Sequence, residues 1–159
     1  MIWKSIEGLR VEIVDEAFCA IKKHIASRKR GETGGILIGQ YSPDHFTAEV
    51  LSASGPGRQS LFGLFSFTRR AFGLQEELDK EFDMGRYYLG EWHCHPGSHH
   101  TPSFQDIQQM HDISKSHCYN CPEPILLVVG RDDPTQYISV LLIKDGHCHY
   151  LERDNNGRN

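Results

Sequence analysis

Residues 91–106 read EWHCHPGSHHTPSFQD and join the end of a strand to the start of a helix. They close the longer run 86–96, RYYLGEWHCHP, whose aromatic and apolar residues favour a strand. Pro96 ends that strand. Side chains alternate along a strand, so His93 and His95 leave the same face. Cys94, between them, points the other way and belongs to the core. Beyond the polar turn, Pro102-Ser103-Phe104-Gln105-Asp106 opens a helix spanning 102–114, PSFQDIQQMHDIS. Asp106 can then offer a carboxylate oxygen to an ion shared with the two imidazoles. Two His and one carboxylate suit a catalytic zinc that keeps one position open. Each signal alone has a plainer reading. Ser-x-x-Asp is also a capping box, with Ser103 at the N-cap. Two His one residue apart arise easily in a chain with ten histidines. His99 and His100 read as loop residues.

Upstream, 11–27, VEIVDEAFCAIKKHIAS, predicts a helix with Ile13, Ala17, Ala20, Ile21 and Ile25 on its apolar face. Asp15 and Glu16 early, with Lys22 and Lys23 later, match the helix dipole. The basic run Arg28, Lys29, Arg30 reads as a solvated end. Next, 32–41, ETGGILIGQY, predicts a buried strand whose glycines mark a close backbone approach. The alternating stretch 46–54, FTAEVLSAS, reads as its antiparallel neighbour. An exposed loop, GPGRQSLFG (55–63), and a possible strand, FSFTRR (65–70), come next. AFGLQEELDKEF (71–82) is helical, with Phe72, Leu78 and Phe82 as its buried face. EPILLVVG (123–130), YISVLLIKDG (137–146) and HCHYLE (147–152) are the remaining strands. The order describes one α/β domain over 1–152, a central mixed curved sheet flanked by helices. The tail 153–159, RDNNGRN, is expected to fray.

Composition excludes several classes. The 159 residues are 38% apolar and 10% aromatic, as expected of one folded domain rather than a disordered chain. There is no apolar run of about 18 residues to span a bilayer, and the N-terminus lacks a secretory pattern. A net charge of −4, from 17 basic and 21 acidic side chains, argues against a nucleic-acid partner. Five cysteines without an export signal suggest a reducing, cytoplasmic setting. Cys118-x-x-Cys121 has the spacing of half a zinc site, for which His147, Cys148 and His149 are the candidate other half; free thiols are the simpler reading. A zinc deaminase is a poor fit. Its H-x-E becomes H-x-H here, and Pro122 follows the Cys pair instead of preceding it.

His-x-His, seven residues, Ser, two residues, Asp resembles the signature of the JAMM (MPN+) zinc metalloproteases, carried here by His93, His95, Ser103 and Asp106. The upstream Glu32-Thr33-Gly34-Gly35-Ile36-Leu37-Ile38-Gly39 resembles that family's Glu-x-Gly-Gly-x-Leu-x-Gly. The resemblance covers roughly residues 5–150 and is strongest to the compact prokaryotic JAB branch. It implies the MPN/JAB fold, with cytidine-deaminase-like layers. It also resembles small bacterial deubiquitinase-like proteins encoded beside ubiquitin-activating and ubiquitin-conjugating enzyme homologues, some in CBASS-type antiphage operons.

The resemblance implies an isopeptidase or peptidase acting after the C-terminus of a ubiquitin-like or conjugated protein. His93, His95 and Asp106 would hold one Zn2+. Glu32 would be the general base, and Ser103 would donate to the oxyanion. The substrate tail is expected in a groove shaped by the 55–70 and 97–101 segments, with Arg58, Arg69 and Arg70 as candidate contacts. Two other readings compete with it. One is processing of a small sulfur-carrier protein by the same residues. The other is an inactive MPN scaffold, against which the complete ligand set argues.

Overall fold

A computed structural model describes residues 1–28, 30–56 and 74–155, with backbone alone over 74–77. Eight strands and three helices are described: β1 (Ile2–Lys4), β2 (Arg10–Ile13), α1 (Asp15–Ser27), β3 (Thr33–Tyr41), β4 (Thr47–Ala53), α2 (Leu74–Asp83), β5 (Tyr87–His95), α3 (Phe104–Lys115), β6 (Ile125–Gly130), β7 (Ile138–Lys144) and β8 (His147–Arg153). The mixed sheet runs β1-β2-β4-β3-β5-β6-β7-β8 and closes into a barrel through the antiparallel β1–β8 pair. The pairs β2–β4 and β5–β6 are parallel.

Alternation along the central strands builds two apolar layers. Leu37, Trp92, Cys94, Leu127 and Val129 pack with Phe18, Ile21 and Ile25 of α1. The opposite face sends Ile36, Ile38, Leu126 and Val128 against Met110 and Ile113 of α3. β5 crosses the middle, hydrogen-bonded to β3 on one side and β6 on the other. The site residues on β5 are therefore held by strands on both edges.

Two glycines fit demands that side chains would break. A Cβ on Gly35 would lie 2.1 Å from the Ser54 carbonyl oxygen and 2.7 Å from Trp92 Nε1. That space is taken because Trp92 Nε1 donates to the same carbonyl at 2.8 Å. Gly90 has φ +145°, and its Cβ would lie 1.9 Å from the Ile125 carbonyl oxygen. At Gly90 the β3–β5 register slips, so that Leu37 faces Gly90 but Ile38 faces Tyr88. One extra residue in β5 forms a bulge. It returns Tyr88 to the face carrying Glu91.

Some expectations need correction. The helix read over 11–27 starts at Asp15, because Val11 and Ile13 are buried on strand β2. Ile13 therefore packs from a strand and not from the helix face. Phe82 is 65% exposed, and its ring meets Tyr87 edge-on at the surface instead of entering a core. β8 extends to Arg153, and Asp154 pairs with Lys4 at 2.7 Å, while residues 156–159 of the expected tail lie outside the described residues. The expected strand at 65–70, Phe72, Lys29 and the arginines Arg58, Arg69 and Arg70 lie outside the described residues. Among the described residues, no helix is long and apolar enough to cross a membrane.

Candidate active site

The three proposed ligands converge. His93, His95 and Asp106 each offer an atom within 4.8 Å of the others, the one such group of three among the described residues. His93 and His95 come from the end of β5 and share the face turned to α3, as strand alternation requires. Asp106 comes from the first turn of α3. Its Oδ2 accepts from the Ser103 backbone N–H at 2.7 Å, and Ser103 Oγ accepts from the Asp106 N–H at 3.1 Å. The capping box is thus compatible with a place for Asp106 in the donor cluster. Capping uses Oδ2 and fixes the rotamer that aims Oδ1 at His93 Nδ1, 2.7 Å away. His95 Nε2 lies 3.6 Å from Asp106 Oδ2.

Glu32 immediately precedes the neighbouring strand β3. The register pairs Thr33 with Cys94, which brings the preceding residue to the His95 end of β5. Its approach is fixed by Arg131, whose guanidinium donates to the carbonyls of Ile25 (3.0 Å), Arg28 (2.5 Å) and Gly31 (2.7 Å). The Arg131 backbone N–H also donates to the His95 carbonyl at 3.1 Å. Arg131 thereby ties the end of α1 and the residue before Glu32 to the end of β5. Glu32, His93, His95, Ser103 and Asp106 all line one cleft of about 560 Å³. His99, read as a loop residue, stacks on His95 with centroids 5.5 Å apart and lines the same cleft.

The charges suit a cation. Burial opposes a charge on His93, but hydrogen bonds to Asp106 and Glu91 outweigh it and raise its pKa to about 9. Burial also opposes ionisation of Asp106, yet bonds from His93 and Ser103 hold its carboxyl well below the usual range. His95 is pushed down, chiefly by burial. Its Nδ1 is buried without a hydrogen-bond partner. A neutral imidazole, an ionised carboxylate and a second imidazole gathered at one point fit a divalent metal of the zinc type.

Glu91 was missed by sequence reasoning. It is 3% exposed, and its Oε2 lies 3.2 Å from His93 Nε2. The signal was present in E-x-H-x-H, which puts Glu91, His93 and His95 on one strand face. The five cysteines form no disulfide, and among the described residues Cys118, Cys121 and the 147–149 segment form no metal-type group.

A mixed barrel with two strand histidines and a helix-capping aspartate around one cleft defines a candidate metal-binding site in an α/β domain. The chain belongs to the prokaryotic JAB family: the description "Prokaryotic homologs of the JAB domain" matches residues 15–142. It is similar to proteins named CD-NTase/cGAS isopeptidase. One, from Enterobacter hormaechei subsp. hoffmannii, is 42% identical over 106 residues, covering 67% of this chain and 59% of that protein. An Escherichia coli relative is 33% identical over 108 residues, covering 64% of each. A Vibrio cholerae relative is 29% identical over 139 residues, covering 77% of this chain and 85% of that one. The matched region thus spans less than two thirds of the first two relatives. A solution structure of a Desulfitobacterium hafniense protein shares the fold, with a TM-score of 0.61, 20% identity and 88% coverage of each chain.

Proposed function

We propose that this protein is a zinc-dependent isopeptidase or peptidase. It would hydrolyse the amide bond that follows the C-terminus of a ubiquitin-like or conjugated protein. The convergence of His93, His95 and Asp106 with Glu32 and Ser103 in one cleft carries this reading. The names of the relatives support the bond class and suggest a C-terminally conjugated CD-NTase as substrate. Ubiquitin-activating and ubiquitin-conjugating enzyme homologues would then supply the conjugate, in antiphage signalling and in the cytoplasm.

His93, His95 and Asp106 would hold a single zinc ion. Bound there, zinc supplies Lewis acidity, making water acidic near neutral pH and polarising the scissile carbonyl. Glu32 takes a proton from the attacking water and delivers it to the leaving amine nitrogen as the C–N bond breaks. Ser103 Oγ accepts the Asp106 N–H through a lone pair, which leaves its hydroxyl hydrogen free to donate to the oxyanion. Water supplies the nucleophile, so no cysteine is needed.

Zinc uptake is expected to release protons at pH 7. His93 keeps its proton up to about 9 in the metal-free protein, and a ligating imidazole must be neutral. Calorimetric titrations with zinc in two buffers of different ionisation enthalpy check this. Equal apparent enthalpies would contradict it.

The activity test uses a CD-NTase with a peptide fused to its C-terminus, followed by intact-mass spectrometry. The expected result is one cut at the fusion junction, abolished by a chelator and restored by zinc. An uncut fusion in the presence of bound zinc would reject this substrate. Cutting that survives full metal removal would reject the chemistry.

A further inference from the structure

The described mechanism leaves one buried charge unused. Glu91 lies beneath His93, two residues back on β5, on the face turned to α3. Three side chains hold its carboxylate. Gln109 Nε2, from the second turn of α3, donates to Oε2 at 2.6 Å. Tyr88 OH donates to Oε1 at 3.3 Å, reaching it because the bulge at Gly90 puts the two residues on one face. His93 Nε2 lies 3.2 Å from Oε2. A carboxylate this buried is costly to keep unless its contacts do something the apolar layer could not.

We propose that Glu91 is a positioning residue for the metal centre. It accepts a hydrogen bond from the far ring nitrogen of His93, while Gln109 and Tyr88 fix Glu91 in turn. This rests on the metal-site reading above. The His93 ring has two nitrogens, and each has a carboxylate partner. Nδ1 faces Asp106, within the ligand group; Nε2 faces Glu91, away from it. An acceptor at Nε2 keeps the proton there and leaves the Nδ1 lone pair for the ion. It also locks the ring plane and makes the ligand more basic, which is how carboxylates behind ligating histidines commonly act. Gln109 carries the constraint from α3. The helix that contributes Asp106 through its first turn thus orients His93 through its second.

The test uses zinc alone and needs no protein substrate. Zinc affinity is measured by chelator competition for the wild type, Glu91→Gln and Gln109→Ala. Wild type should bind one zinc per chain. Glu91→Gln is expected to bind about 10–100-fold more weakly, and Gln109→Ala to lose less. Nitrogen-15 spectra of histidine-labelled, zinc-loaded protein should show His93 protonated at Nε2 in the wild type and mixed tautomers in Glu91→Gln. A purely structural carboxylate would not move the tautomer. If Glu91→Gln does not fold, Gln109→Ala decides by the same two readouts. Affinity unchanged in the variant, or a wild-type His93 protonated at Nδ1, overturns the proposal. A wild type that binds no zinc overturns the metal-site reading and this inference with it, an outcome distinct from the other two.

Discussion

Replacing Glu32 by Gln is expected to lower kcat/KM by about 10²–10⁴-fold while zinc content stays at the wild-type level, the size of effect typical of a lost general base. The two halves of this result have separate causes. Metal retention follows because Glu32 is not one of the three clustered donors. The loss of rate follows from its position. Glu32 immediately precedes the adjoining strand, is exposed and lines the same cleft as His95. Gln matches Glu in shape but cannot carry a proton from water to the leaving amine. The Arg131 bonds to Ile25, Arg28 and Gly31 use main-chain carbonyls and a different side chain, so the local path of the chain should survive. Metal analysis and steady-state cleavage of the CD-NTase fusion check both halves together. A variant keeping more than about a tenth of wild-type activity would remove Glu32 from the proton transfer. A variant that lost its zinc would make it a ligand instead.

The clustering of His93, His95 and Asp106 was legible because its parts use short-range rules, whereas Glu32 was reached only through the family resemblance. His93 and His95 share a face through strand alternation, and Ser103 and Asp106 are joined by a capping box; both patterns lie within a few residues. Gly35 was readable as a close approach, although its partners, Ser54 and Trp92, are far away in sequence. What escaped depends on distant contacts. β1 and β2 are short, and the alternation of Val11 and Ile13 merges with the helical period that follows. Their strand character comes from pairing with β8 and β4. Closure of the barrel was hidden for the same reason. Glu91 was passed over because a charged residue in a strand usually faces solvent, and only the packed α3 buries it. Arg131 resembled any loop arginine, since its three carbonyl acceptors lie about a hundred residues upstream. Phe82 failed the other way: its helical spacing promised burial that the described fold does not provide.

Replacing His95 by Ala is expected to weaken zinc binding beyond the roughly 100-fold at the upper end for outer-shell partners, because a direct donor is lost. Of the two proposed histidine ligands, His95 is the better one to remove, for an electrostatic reason. His93 stands between two buried carboxylates, 2.7 Å from Asp106 and 3.2 Å from Glu91. Deleting it would leave both without their cation, and breaking a buried pair typically costs about 3–5 kcal/mol. Loss of metal in that variant could then be blamed on the fold. Burial pushes the His95 pKa down, so near pH 7 its ring is a neutral group whose removal strands no opposite charge. The Ser103–Asp106 capping box and the His93–Asp106 bond do not involve it. The metal-free variant should therefore unfold within a few degrees of the metal-free wild type, while its zinc dissociates into a modest excess of chelator. Parallel melting curves and chelator titrations read the two quantities separately. One zinc per chain held at wild-type affinity in His95→Ala would reject His95 as a ligand, leaving His93 and Asp106 too few protein donors for the three that a catalytic zinc ordinarily has.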